Sequence, residues 1–468
     1  MQHLKINQIE SIIKKHDMDI NFIIFDFFKK FKVKNICDRI KIKKDCGYSI
    51  IEILLIILTI PLVLVKSVNS LYRSEFKWLA KMNRCTIYRF LNFSNYNWRN
   101  LIYKICIKFV KTFSEETAYS AFIIDDTTLF KEGYKGERIT KVYDHSEKKY
   151  GYGYKQATIA YCDEKSVIPL DFSLHGETQL AEEKVGKQYV KVRKNNTFGA
   201  KRLKEFLLDK ITSATKMINS AIENGIKAKY AIFDSWYSSN DFINALIEKG
   251  LIVVCAIKAN RKCVYNDREL NMSGLLTLLK NTKKAKMHCN KKIKYYDTII
   301  KIPKIGEIKI CFCKLRNHKE WKIIISTDVS MSSKKIMQIY TLRWSIEVFF
   351  KEAKGLLRMG KCQSVDFDAQ ISNVSSAMLL YIIIAYYKRI NEVETTGTLF
   401  ENIRQNIYKK TFAEMLWDFF VEIFDYIFKK LYIEGKTTIK RMKNTSVFKF
   451  VNQFLSAKKF NAELEIII

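Results

Sequence analysis

The sequence predicts an α/β protein: a mixed sheet with helices on both faces, carrying a β-rich insertion and flanked by helical regions at both ends. Three observations predict it. Hydrophobic residues make up 48% of the chain and aromatics 13%, ample for a large buried interior. From about residue 118 the apolar pattern changes from helical spacing to the short runs of strands. Those runs then follow in the order three strands, helix, strand, helix, strand. At 468 residues the chain is also long for one core, so several structural units are expected.

Residues 1–115 read as helices. The N-terminus, MQHLKINQIESIIKKHD, mixes charged and apolar residues and lacks the unbroken apolar core of a signal peptide. The run Ile50–Val65 is the one membrane candidate in the sequence. It is short for a span and carries Glu52, Thr59 and Pro61, which predicts a buried helix ending near the proline. The stretch Lys81–Leu91 offers Arg84, Tyr88 and Arg89 as DNA contacts in the manner of a recognition helix. The plain alternative is an amphipathic helix whose cations face water.

Tyr119–Asp126 is an apolar run ending in two acids, and Gln156–Cys162 and Val167–His175 are two further strands. Phe198–Asn224 reads as one long helix closed by Asn224-Gly225. Tyr230–Asp234 is a short buried strand, followed by a helix from Asp241 to Lys249 and the strand Leu251–Ile257. This is the order of an RNase H-like fold, with its first part over 116–258. Residues 259–320 alternate in β fashion, with Lys292–Lys301 and Glu307–Lys314 as strands. They read as an inserted module outside the main sheet. Trp321–Ser326 returns to the core, whose second part spans 321–365 and holds the helix with Glu347. A helical region over 366–468 completes the chain.

The charge is lopsided, with 81 Lys+Arg against 48 Asp+Glu for a net +33. That excess favours polyanions, nucleic acid foremost, although coding bias in an AT-rich genome also enriches lysine. Eleven cysteines without a CxxC pair point to a reduced, cytoplasmic protein. Cys263, His288, Cys289, Cys311 and Cys313 share one segment but lack zinc-finger spacing. G-x-S-x-G, H-E-x-x-H and P-loop patterns are missing, which argues against those hydrolase and nucleotidase classes.

On a helix at ~100° per residue, Tyr340, Arg343, Glu347 and Lys354 fall within an arc of roughly 60°. Leu342, Ile346, Phe349, Ala353 and Leu356 lie opposite. One face therefore packs down, and the other presents a carboxylate between cations that grip phosphate. Asp126 and Asp234 each end a strand, where loops gather at the sheet edge. Asp125 competes with Asp126, because neighbouring strand residues face opposite ways. Asp126 is preferred for the Asp-Thr-Thr-Leu that opens the loop. Two strand-end aspartates and Glu347 meeting at one point would bind two Mg²⁺ ions ~4 Å apart, with Mn²⁺ as a substitute, and support in-line phosphoryl transfer.

Tyr340-x2-Arg343-x3-Glu347-x6-Lys354 resembles the Tyr-Arg-Glu-Lys signature of the IS4-type DDE transposases, the group that includes the Tn10 and Tn5 transposases. Asp126-Thr127-Thr128-Leu129 and Ile232-Phe233-Asp234 look like that family's first two acidic regions. The resemblance covers roughly 118–360. It implies cut-and-paste transposition of an insertion sequence at terminal inverted repeats, by a dimer working on double-stranded DNA at the bacterial or archaeal nucleoid. It makes Asp126, Asp234 and Glu347 the catalytic, metal-binding triad. Tyr340, Arg343 and Lys354 become DNA contacts. Better-known members stack a flipped base on a tryptophan of the insertion; Trp321 precedes the Glu347 helix at a similar distance and is a candidate for that part, with a strand aromatic in the core as the plain alternative, and Trp344 also has a family counterpart. The alternatives are a transposase-derived DNA-binding protein without catalysis and a structure-specific nuclease on the same scaffold.

Overall fold

The computed structural model describes residues 20–408, apart from 41, 43, 45–46, 81, 114–118, 178–184, 289–291, 317, 394 and 406. The N-terminal 1–19, Lys81, Cys289 and the helical region expected after 408 lie outside the described residues. The chain divides into two units. One comprises residues 1–38, 43–90 and 390–468, and the other 39–42 and 91–389.

The first unit is helical and includes Ile20–Lys30, Ile50–Thr59, Val68–Tyr72, the 3-10 turn Glu75–Leu79, and most of Val33–Arg39 and Arg84–Leu91. Ile50–Thr59 begins with a reciprocal cap: Ser49 accepts from the Glu52 amide, and Glu52 accepts from Ser49 N at 2.7 Å. It ends before Pro61 and buries seven of its ten residues, as its sequence predicts. Arg84–Leu91 buries Ile87 and Phe90 and leaves Arg84, Tyr88 and Arg89 exposed. Its start is secured by Asn83, whose Oδ1 accepts from Cys85 N at 2.9 Å.

The second unit is built on one twelve-stranded mixed sheet. Its strands are β1 Ala121–Lys131, β2 Thr140–Asp144, β3 Lys149–Cys162, β4 Val167–His175, β5 Tyr230–Phe233 and β6 Ile252–Ala256. They continue with β7 Lys262–Tyr265, β8 Arg268–Asn271, β9 Lys286–His288, β10 Ile293–Ile302, β11 Gly306–Leu315 and β12 Lys322–Ser326. The order is β2-β3-β1-β5-β6-β12-β11-β10-β7-β8, with β4 also on β3 and β9 on β10. Among the described residues, only β1–β5 and β5–β6 are parallel. β5 and β6 are apolar almost throughout, and so is β1 where it pairs with β5, over Ala121–Ile124, as strands covered on both faces must be.

Four expectations need correction. β1 does not stop at the acids but runs on to Lys131, because β3 pairs with it through Lys131↔Tyr152. The helix expected over Phe198–Asn224 is two, Phe198–Glu205 and Lys210–Glu223, since Asp209 caps a new start by accepting from Thr212 N at 2.8 Å. The insertion is not a separate module. β11 pairs with β12, so its strands extend the main sheet, and it holds a helix, Met272–Thr282. Finally, Phe367–Ile390 is long and apolar enough to cross a membrane, which the sequence reading reserved for Ile50–Val65. However, 89% of its most apolar window is buried inside the protein. Phe349 packs edge-on against its Tyr381 at 4.8 Å, which marks it as a core helix.

Trp98–Phe113, counted with the N-terminal helices by sequence, belongs to the second unit. It packs on β4, with Tyr103 Oη donating to Asp171 Oδ2 at 3.0 Å.

Lys131 closes β1 with its ammonium donating to Gly360 O at 2.6 Å, Gln370 Oε1 at 2.6 Å and Cys362 O at 3.2 Å. Burial pushes this lysine down to about 8. A folded-state value below the unfolded one stabilises the protein above pH ~10.4 and forfeits that gain as pH falls toward 8. Wild type should therefore gain ~1–2 kcal/mol relative to Lys131→Met between pH 8 and 10, allowing for partial solvent screening. Urea titrations of both proteins across that range check it, and parallel pH profiles would disprove it.

Candidate active site

The parallel pairing of β1 with β5 ends at Ile124↔Phe233, so the next residue in each chain is an aspartate, Asp125 and Asp234. The short β5 thus sets both acids at one level of the sheet, where its backbone leaves. Asp234 Oδ1 accepts from Trp236 N at 2.9 Å, a turn that starts the outgoing loop.

Alternation along β1 separates the paired acids. Asp125 and Thr127 face the helix Trp344–Gly355: Asp125 Oδ2 meets Arg343 Nη1 at 2.8 Å, and Lys354 Nζ donates to Thr127 Oγ1 at 2.7 Å. Asp126 and Thr128 face the other way, Asp126 pairing with Lys210 and Thr128 accepting from Lys155 Nζ at 3.0 Å. Asp125, the second choice of the sequence reading, therefore shares a side with Glu347. Asp126, its first choice, turns to Lys210.

The Tyr-Arg-Glu-Lys stripe does not lie on one continuous helix. Ser333–Thr341 ends and Trp344–Gly355 begins across Arg343. Thr341 Oγ1 donates to Gln338 O at 2.6 Å and Ser345 Oγ to Leu342 O at 2.7 Å. Backbone bonds shorten here to three-residue spacing. Hydroxyls competing for helical carbonyls in this way loosen the α pattern. Ile346, Phe349, Phe350 and Ala353 still form the buried face. Tyr340 is buried rather than presented, with Lys322 Nζ 4.8 Å from its ring centre.

Arg343 ties the acids together, donating to Asp125 and through Nη2 to Glu347. Burial pushes Asp125 up to about 7, against the pull of Arg343 and with help from the Asp126 charge. Burial also raises Asp234, to which the charge of Asp126 adds. Burial depresses Lys322 and Lys354, the first also by the charge of Arg343. Acids pushed up beside ammonium groups pushed down are the pattern expected where charged groups are packed together in a working site.

These groups line one open cleft of about 2130 Å³. Asp125, Asp126, Asp234, Glu347, Tyr340, Arg343 and Lys354 all border it, as do Lys210, Lys258, Lys322 and Lys351. Trp321 and Trp344 are not among its lining residues. Trp321 packs on Tyr296 at 5.6 Å with Lys280 Nζ over its ring, and Trp344 is 63% exposed on the outer side of its helix. The tryptophan in the cleft is Trp236, 46% exposed, with Lys210 Nζ 3.8 Å from its ring centre. Its position two residues after Asp234 was the signal that could have found it. Arg261 has a local task, bonding Ser238 O and Asn240 Oδ1.

Among the described residues, no three Asp, Glu, His or Cys side chains stand close enough to hold an ion as placed. Arg343 and Lys210 fill that role for the carboxylates. The donor set nonetheless suits a hard divalent cation: all are carboxylate oxygens, and Asp125 and Asp234 are held above their ordinary range by burial and by the charge of Asp126, which a cation would relieve.

Over residues 73–273 the chain is similar to the family described as "DDE superfamily endonuclease". Over 191–387 it is similar to the family described as "Archaeal putative transposase ISC1217". The first stretch contains Asp125, Asp126 and Asp234, the second Asp234 and the Glu347 helix, so the two overlap on the middle acid. Together they support a transposase of the DDE type, with the nuclease-type chemistry those families imply. No curated protein matches the chain.

Proposed function

We propose that this chain is the transposase of an insertion sequence, cutting and rejoining DNA at terminal inverted repeats with divalent metal ions. The observation that carries this reading is the convergence of Asp125, Asp234 and Glu347 on one basic cleft, with Arg343 bridging two of them. The order β4-β3-β1-β5-β6, antiparallel and then parallel about β1, supports an RNase H-like core. The Tyr340-Arg343-Glu347-Lys354 spacing supports an IS4-type member acting as a dimer on paired DNA ends.

Asp234, Glu347 and one aspartate of the 125–126 pair would hold Mg²⁺ or Mn²⁺, and Asp125 is favoured because it faces Glu347. Bound metal would activate water or a 3′-hydroxyl and stabilise the departing oxygen. The chain's own contribution is grip and placement. Arg343, once exchanged from the carboxylates, offers two parallel N–H donors to a phosphate. Lys354, fixed on Thr127, sits about two helical turns beyond Glu347 along the same face. Lys322, Lys351 and Lys258 add positive charge along the trough. Tyr340, buried beneath Arg343 and Lys322, props these cations rather than reaching DNA.

Full-length protein with Mg²⁺ should nick a duplex carrying the element's own terminal repeat and join the freed 3′ end to target DNA, and a chelator should stop both. Cleavage without joining would favour a nuclease, and binding without cleavage a DNA-binding derivative. Asp125→Asn should depress cleavage at least ~100-fold more than Asp126→Asn, the order expected of a lost metal ligand against a neighbouring ion pair. The reverse ranking would make Asp126 the first acid.

A further inference from the structure

We propose that Arg138 is a DNA-phosphate contact, presented to the cleft by a turn held in a strained conformation; this rests on the DNA-cutting reading above. Gly136–Ile139 is a tight turn closed by Ile139 N donating to Gly136 O at 3.3 Å. Arg138 is its third residue and has φ 62°, a left-handed conformation that favours glycine or asparagine at this place. Strain of this kind persists only where the surroundings over-determine it, and such places cluster at working sites.

The surroundings do so here. Glu137, just before, is buried and accepts from Arg193 Nη1 at 2.7 Å and Nη2 at 2.6 Å. Its amide donates to Val365 O at 2.8 Å, and its carbonyl accepts from Tyr154 Oη at 2.6 Å. Ile139, just after, is buried too, and its carbonyl accepts from Gln188 Nε2 at 2.6 Å. Between two pinned residues, the Arg138 side chain is exposed and borders the same cleft as the acids. Among the described residues no carboxylate pairs with it. The turn joins β1 to β2, on the side of β1 away from β12. Lys322 opens β12, so Arg138 and Lys322 place positive charge on both sides of the acids. A duplex end entering between them would meet a cation on either flank.

The test is the salt dependence of binding between the full-length protein and a labelled blunt duplex of arbitrary sequence, because phosphate contacts do not read bases. Arg138→Gly should lower the slope of log affinity against log salt by about one, the value for a single lost phosphate contact. Its melting temperature should equal or exceed that of wild type, since glycine relieves the turn. Arg138→Lys should keep the wild-type slope. An unchanged slope in Arg138→Gly overturns the proposal, and so does a lowered slope in Arg138→Lys. If Arg138→Gly does not fold, Arg138→Gln carries the same slope comparison. Wild-type protein that fails to bind the duplex at all would instead defeat the transposase reading, which keeps the two failures distinct.

Discussion

Glu347→Gln should abolish Mg²⁺-dependent strand cleavage, with a loss of about a thousandfold or more, while leaving the protein folded and able to bind DNA. The size follows from what the carboxylate does. A group that acts on the charge of the transition state is worth 10²–10³ in rate by itself, and a metal ligand takes the ion's contribution with it. The fold should survive because Glu347 lies a third exposed at the start of its helix, and its side-chain partner, Arg343, borders the cleft. Arg343 keeps Asp125 as a partner after the change, so no buried cation is stranded. DNA binding should hold or tighten, since the substitution removes negative charge from a basic cleft. Cleavage within tenfold of wild type, measured on the same duplex, would remove Glu347 from the chemistry and the transposase reading with it.

Much of this site can be read in the sequence because short-range chemistry repeats there. Asp234 follows an apolar run too short to be anything but a strand, and Glu347 stands opposite the apolar positions Ile346, Phe349 and Ala353. The strand-versus-helix order of the core is legible for the same reason. What cannot be read is which way β1 turns. The facing of Asp125 and Asp126 depends on the partner strands, and β3 carries the pairing five residues past the acids. The insertion misleads for a related reason. Lys292–Lys301 alternates as any half-exposed strand does, and nothing local says that β11 will pair with β12 and so join the main sheet. The break at Arg343 arises from hydroxyl groups at Thr341 and Ser345, a weak signal inside a strongly helical stretch. Lys210 and Trp236 meet only because two distant loops close on the same cleft edge, so periodicity cannot pair them.

Arg193→Met should destabilise the second unit by ~3–5 kcal/mol, the cost of removing one partner from a buried charge cluster. Arg193 reaches Glu137, Asp366 and Asp368, and all four side chains are 3–6% exposed. Among the described residues, its loss leaves Glu137 with only the amides of Lys191 and Phe367, at 3.2 Å each. Lys191 still bridges Asp366 and Asp368 at 2.8 Å, so the harm concentrates on Glu137. The double variant Glu137→Gln with Arg193→Met should consequently be more stable than Arg193→Met alone, because it removes the stranded anion. A plain sum of the two single effects would show instead that the charges contribute independently. Urea unfolding at neutral pH reads wild type, the two single variants and the double variant, with the midpoint rather than the slope expected to move. The same cluster fixes the turn that carries Arg138, so Arg193→Met should also weaken DNA binding under conditions where the protein is still fully folded. A variant that loses stability but keeps wild-type affinity and salt slope would separate the cluster from the cleft and leave it a purely structural clamp.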